Sequence, residues 1–138
     1  MLVEMNMLAD DIRACRLCAD RFALTATAHE PRPVVWFRPG ARLLIAGQAP
    51  GARVHASGRP FTDASGDRLR DWTGLSEAAF YDLSRVAVVP MAFCFPGYDA
   101  KGSDLPPPAA ADWQELGLVR HVFTHFALDL TVMTAQLT

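Results

Sequence analysis

The stretch that most restricts the fold is Leu43-Leu44-Ile45-Ala46, an apolar run that stops at Gly47 and leads into Gln48-Ala49-Pro50-Gly51. Consecutive apolar residues closed by glycine read as a buried strand of a parallel sheet. A second run of this kind, Val86-Ala87-Val88-Val89, reaches Pro90 and continues to Ala92. Between the two, Asp63 or Ser65 can cap a helix through Asp67 to Trp72 that ends near Gly74. Ser76, followed by an acid in the first turn, opens another. Strand, loop, helix, strand is the order of a βαβ unit, whose ligands sit beyond the carboxyl ends of the strands. The loops 47–61 and 90–104 both fall at such ends. The chain therefore reads as α/β with its site at the strand ends.

The flanks are plainer. Met5, Leu8, Ile12 and Cys15 recur at helical spacing, which predicts a helix from about Met5 to Asp20. Thr25 to Pro39 holds three prolines and reads as an irregular extension. After Asp104 the character changes. A proline- and alanine-rich hinge over 109–116 separates a domain over 1–108 from a tail over 117–138. In the tail, Phe126, Leu128, Leu130 and Val132 alternate with Ala127, Asp129 and Thr131, which predicts one amphipathic strand from Val122 to Val132. Such a tail is too short for a core of its own.

Composition narrows the function classes. The 138 residues carry 13 Lys+Arg against 15 Asp+Glu, so there is no broad basic surface. Lys101 is the only lysine. Arginine is the better phosphate ligand, although GC-rich coding produces the same bias. No run reaches the roughly 18 apolar residues of a membrane span, and no signal-peptide pattern opens the chain. Cys15-x-x-Cys18 and Cys94 point to metal or redox chemistry in a reducing compartment, hence to the cytoplasm; a monomer without a membrane partner is expected.

The loop after Leu43–Ala46 is the candidate site. Gly47 and Gly51 allow close approach of a ligand to the backbone, and Pro50 stiffens the turn between them. Such a loop can present N–H groups to an anion or a flat polar ligand, or can be an ordinary connection. It matches neither the dinucleotide nor the ATP fingerprint.

The run "GQAPGARVHASGRPFTDASGDRLRDW" resembles the first motif of the uracil-DNA glycosylase superfamily, in particular its iron–sulfur branch. That branch reads G-E-A-P-G, then G-x-P-F, then a small residue and glycine at a helix start. Gly47 to Gly51, Gly58 to Phe61, and Ser65-Gly66 with Leu69 match in order. The resemblance spans about residues 8–108. It implies a three-layer α/β sandwich around a parallel sheet, here C-terminally truncated. It also implies hydrolysis of the N-glycosidic bond of a deaminated or damaged base, such as uracil, flipped out of DNA. Gly47, Ala49, Pro50 and Gly51 would surround that base, and Phe61 would stack on it, unless Phe61 is simply core. Gln48 stands at the catalytic position where the branch has glutamate. Glutamine can orient water but cannot take its proton. Cys15, Cys18 and Cys94 match three of the four ligands of a 4Fe-4S cluster. The fourth cysteine has no counterpart. A zinc site, or a plain buried thiol at Cys94, stays open.

Two further departures bear on activity. Pro90 stands near the place of an asparagine that reads the uracil edge. The late H-P-S motif, whose histidine stabilises the departing base, is missing. The tail 117–135, "GLVRHVFTHFALDLTVMTA", resembles instead the C-terminal domain of the MutY adenine glycosylases, with Phe123-Thr124-His125 in its 8-oxoguanine-sensing loop. Two alternatives follow: a catalytically inactive, truncated or chimeric DNA-binding remnant, and a small unrelated metal-binding protein built on the cysteines.

Overall fold

The computed structural model describes residues 2–107, 114–122 and 127–134. The chain divides into two compact units, Met1–Pro107 and Pro108–Thr138. The first is α/β. Helix α1 (Leu2–Ala14) and the short α2 (Ala19–Ala23) precede β1 (Leu43–Gly47). Helices α3 (Ala52–Ser57), α4 (Ala64–Thr73) and α5 (Glu77–Phe80) then lead to β2 (Val86–Pro90). β1 and β2 pair in parallel with Leu43 beside Val86 and Gly47 beside Pro90, as the βαβ order requires. An antiparallel bridge joins Trp36 to Val88, whose N–H donates to the Trp36 carbonyl at 2.7 Å. The prolines of 25–39 thus leave room for one sheet contact.

The core lies on the β2 side. Phe22, Phe80 and Val86 are fully enclosed, and Val34, Val54, Val88 and Phe95 are buried around them. Burial of such side chains contributes about 1.5–3 kcal/mol each before entropy is counted. β1 corrects the expectation of two buried strands: Leu44 is 64% exposed. Among the described residues β1 pairs only with β2, so it is an edge strand and its apolar run is not fully covered.

The N-terminal helix is also shorter than expected. It stops at Ala14, and Ala19 begins a second helix with Cys18 at its N-cap position. Arg16 turns back to donate to the carbonyls of Arg13 and Cys15, satisfying acceptors left open at the helix end. After the break, α2 seats Phe22 in the core.

In the second unit β3 (Gln114–Val122) pairs antiparallel with β4 (Ala127–Thr134), with a register shift between Glu115 and Gly117. The single strand expected over Val122–Val132 is therefore two strands. Of the hinge over 109–116, residues 114–116 belong to β3, and 109–113 lie outside the described residues. Phe123, Thr124 and His125 lie outside them too.

Candidate active site

The loop after β1 is anchored by its carbonyls. Met91 N–H donates to Gly47 O at 2.9 Å and Ala92 N–H to Gln48 O at 3.0 Å. The start of the loop is thereby clamped to the end of β2. The N–H groups of Ala49 and Gly51 have no partner among the described residues. Gly51 then caps α3, whose far end is closed by Arg32 donating to the carbonyls of His55 and Ala56. Neither Gly47 nor Gly51 is held at positive φ, and a Cβ on either would meet nothing within 4 Å. Glycine here keeps space open beside the loop; the backbone conformation itself would accept other residues.

The G-x-P-F segment is held differently. Phe61 adopts φ 56°, a left-handed conformation that costs a non-glycine residue energy. Its carbonyl accepts from Arg70 Nη1 at 3.2 Å and from the Tyr81 hydroxyl at 3.1 Å. The same hydroxyl reaches Pro60 O at 2.7 Å, and Arg70 Nη1 lies 3.3 Å from it. Asp67 holds Arg70 Nη2 at 2.9 Å. The Phe61 ring meets buried Phe80 edge-on, with centroids 5.9 Å apart. Phe61 is half-buried: braced on the core without being enclosed by it.

These two segments face one cavity of about 310 Å³, which Gly47, Gln48, Ala49, Pro50, Gly51 and Phe61 all line. Val34, Trp36, Val54 and Val88 supply apolar wall, and Pro90 closes it at the end of β2. The volume lies at the small end for ligand sites, suited to a single planar ring system. A second cavity of about 310 Å³, lined by Pro96, Asp104 and Pro106, shares Gln48, Ala49 and Pro50 with the first.

Asp63 is the acid that sequence reading assigned only to a helix cap. It does cap α4, accepting from Gly66 N–H at 3.2 Å and from the Ser65 hydroxyl. It also lines the cavity, where it is the only carboxylate among the described residues. Burial pushes its carboxyl up, but the hydrogen bonds from Ser65 and Gly66 outweigh that and hold it below the usual range. Among the described residues the cavity wall thus holds one negative charge and no histidine, lysine or arginine. The signal for Asp63 was present in its place just after Phe61, but capping explained it completely.

The cysteines lie apart from the cavity. All three are free thiols, half-buried. Burial above all, joined by the neighbouring Cys15 and Cys18, pushes the Cys94 thiol up to about 11 against the opposing Arg32 N–H and Arg16 charge. The three sulfurs therefore share one electrostatic neighbourhood. Among the described residues, no three ligating side chains are gathered closely enough to hold a metal ion. Three cysteines without a fourth do not complete the four-thiolate set of a cubane cluster.

His55, on α3, packs edge-on against His29 at 5.1 Å and beside Phe95 at 5.8 Å. His29 is fixed by Thr27 through Nδ1 and by the Phe95 carbonyl through Nε2, each at 2.8 Å. The Nδ1 of His55 is buried without a partner. Burial first, then the His29 and Arg32 charges, lower its pKa. This pair stiffens the layer behind the loop.

A cavity at the carboxyl ends of parallel strands, walled by the G-Q-A-P-G loop and the G-R-P-F turn, has the form the motif resemblance implied. A family model described as the uracil DNA glycosylase superfamily matches residues 34–135, well over half of the chain and extending through both strands of the second unit. The chain belongs to the uracil DNA glycosylase superfamily.

Proposed function

We propose that this cavity receives a deaminated base, uracil or a relative, flipped out of DNA, and that the chain hydrolyses its N-glycosidic bond with water. The observation that carries this reading is the convergence of Gln48, Phe61 and Asp63 on one base-sized cavity at the strand ends. Phe61, held rigidly by Arg70, Tyr81 and Phe80, stacks on the base. Gln48 orients the attacking water through its amide. The water oxygen bonds to C1′ while the bond from C1′ to the base nitrogen breaks. The bonding electron pair leaves with the base, and the proton of the water passes to solvent. Asp63, ionised, stabilises the positive charge that develops on the sugar in between.

Turnover is slow on this account. Among the described residues no cation in the cavity wall meets the negative charge on the departing base. A donor of that kind is worth roughly 10²–10³ in rate. Pro90, in the wall, has no N–H to read a uracil edge, so selectivity rests on stacking and fit. The bare wall also favours a second reading, in which the domain binds the base and leaves the bond intact.

Incubation of excess protein with a uracil-containing strand, followed by alkaline cleavage of abasic sites, separates the two. Slow release above a thymine control supports the enzyme. Binding with no release supports the inactive remnant. Neither binding nor release removes both.

The iron–sulfur assignment rests on the match of Cys15, Cys18 and Cys94 to three of the four cluster ligands of the branch the motif resembles. No step of the hydrolysis is assigned to a cluster. The likeness of the tail to MutY finds support in its strand order: β3 ends with Val119-Arg120-His121-Val122 and β4 resumes at Ala127, on either side of Phe123-Thr124-His125.

A further inference from the structure

We propose that Arg59 is the phosphate clamp for the nucleotide whose base enters the cavity; the inference rests on the flipped-base reading above. Arg59 directly precedes Pro60 and Phe61, both in the cavity wall. Its guanidinium carbon lies 3.8 Å from the centre of the Tyr81 ring and 5.9 Å from that of Trp36. The two rings stand perpendicular at 5.6 Å, and Trp36 is itself in the wall. Tyr81 is fixed in turn by its hydroxyl, which bonds the carbonyls of Pro60 and Phe61. The cation is thereby held at the rim in one orientation.

Two arginines that brace the segments around the cavity are already engaged: Arg70 is paired with Asp67, and Arg32 with the carbonyls at the end of α3. Among the described residues Arg59 joins no salt bridge, and its guanidinium makes no hydrogen bond. Stacking covers a face of a guanidinium and leaves the in-plane N–H donors at its edge unspent. Those donors suit a bidentate acceptor, and a tetrahedral phosphate oxygen pair is one. A nucleotide that puts its base between the Gly47–Gly51 loop and Phe61 must leave its backbone phosphates outside the cavity, at the rim where Arg59 is fixed. Ordering this side chain in the free protein removes a cost that an unstacked arginine would meet on binding.

The test is the salt dependence of DNA binding by the full chain. The probe is a duplex carrying one 2′-fluoro-2′-deoxyuridine, which resists hydrolysis, with a thymidine duplex as control. Neutralising one phosphate contributes about 0.9 to the slope of log Kd against log salt for duplex DNA. Arg59→Gln should flatten that slope by about this amount in a protein that still unfolds cooperatively. Arg59→Lys should keep the slope but bind more weakly, since a lysine preserves the charge and loses the planar fork. A wild-type slope in Arg59→Gln, whatever its affinity, overturns the proposal and leaves Arg59 a packing residue. A loss of slope in Arg59→Lys contradicts it as well. Wild-type protein that fails to prefer the uridine duplex sinks the flipped-base reading instead, and the clamp falls with it.

Discussion

A methyl group on Gly66 would stand 1.8 Å from the carbonyl oxygen of Phe61. The first turn of α4 therefore packs directly on the backbone of the residue assigned to stacking. This contact explains why a glycine follows Ser65. Phe61 turns its carbonyl inward because its φ is 56°, and only a residue without Cβ leaves space for that oxygen while Arg70 and Tyr81 bond it. The two motif segments form one mechanical unit.

Gly66→Ala should consequently destabilise the fold, because backbone cannot move aside as a side-chain end can. Overpacking of this kind costs about 1–3 kcal/mol. Urea denaturation should show a lower midpoint at unchanged slope. An unaltered midpoint would mean that Phe61 relaxes freely and that its conformation is not imposed by α4.

The sequence disclosed what local rules govern. The capped start of α4 at Asp63, the Ser76 cap of α5 and the parallel pairing of Leu43–Gly47 with Val86–Pro90 follow from periodicity and capping, and each is present. What escaped depends on contacts distant in sequence. Trp36 reaches Val88 across the sheet, and Arg59, Arg70 and Tyr81 meet around Phe61 from three segments. The split between α1 and α2 escaped because the heptad-like spacing of Leu8, Ile12 and Cys15 runs on, whereas the need to bury Phe22 redirects the chain. Asp63 was legible as a cap and illegible as a cavity charge, since one side chain serves both purposes.

Asp63→Asn separates those purposes. Asparagine caps a helix about as well as aspartate, so the unfolding midpoint should hardly move. The negative charge beside the sugar is lost, and any glycosidic cleavage should fall by roughly 10²-fold or more. Retained cleavage would remove Asp63 from the mechanism and leave it a cap.

His55 makes stability depend on acid. Its pKa is lowered in the folded state, by burial first and then by His29 and Arg32, from an ordinary value of 6.5. The unfolded chain therefore binds the proton more readily. The contribution is fully present above about 6.5 and is lost as pH falls through the lowered folded value. Denaturation midpoints should decline below about pH 6.5 in the wild type, and less steeply in His55→Gln. Parallel declines in the two proteins would place the acid sensitivity elsewhere.

Cys94 behaves in the opposite sense. Burial holds its thiol protonated up to about 11, so its contribution is present below the ordinary value of 9.0 and lost as pH rises through about 11. In the folded protein at mildly alkaline pH, Cys94 should alkylate far more slowly than after unfolding, as mass-resolved iodoacetamide labelling would show. Anaerobic reconstitution with iron and sulfide should give at best an air-labile cluster, because three thiolates leave one iron open. Four irons per chain, stable in air, would reveal a fourth ligand.

The central claim is that a flipped base stacks on Phe61 inside this cavity. It is tested most directly by comparing affinities of wild type and Phe61→Leu for the 2′-fluoro-2′-deoxyuridine duplex and its thymidine control. Stacking on an aromatic ring is worth about 1–3 kcal/mol, or roughly five- to 150-fold. The wild type should prefer the uridine duplex, and Phe61→Leu should lose that preference by such a factor while binding the thymidine duplex unchanged. Equal affinities of the wild type for both duplexes, or an undiminished preference in Phe61→Leu, would contradict the account.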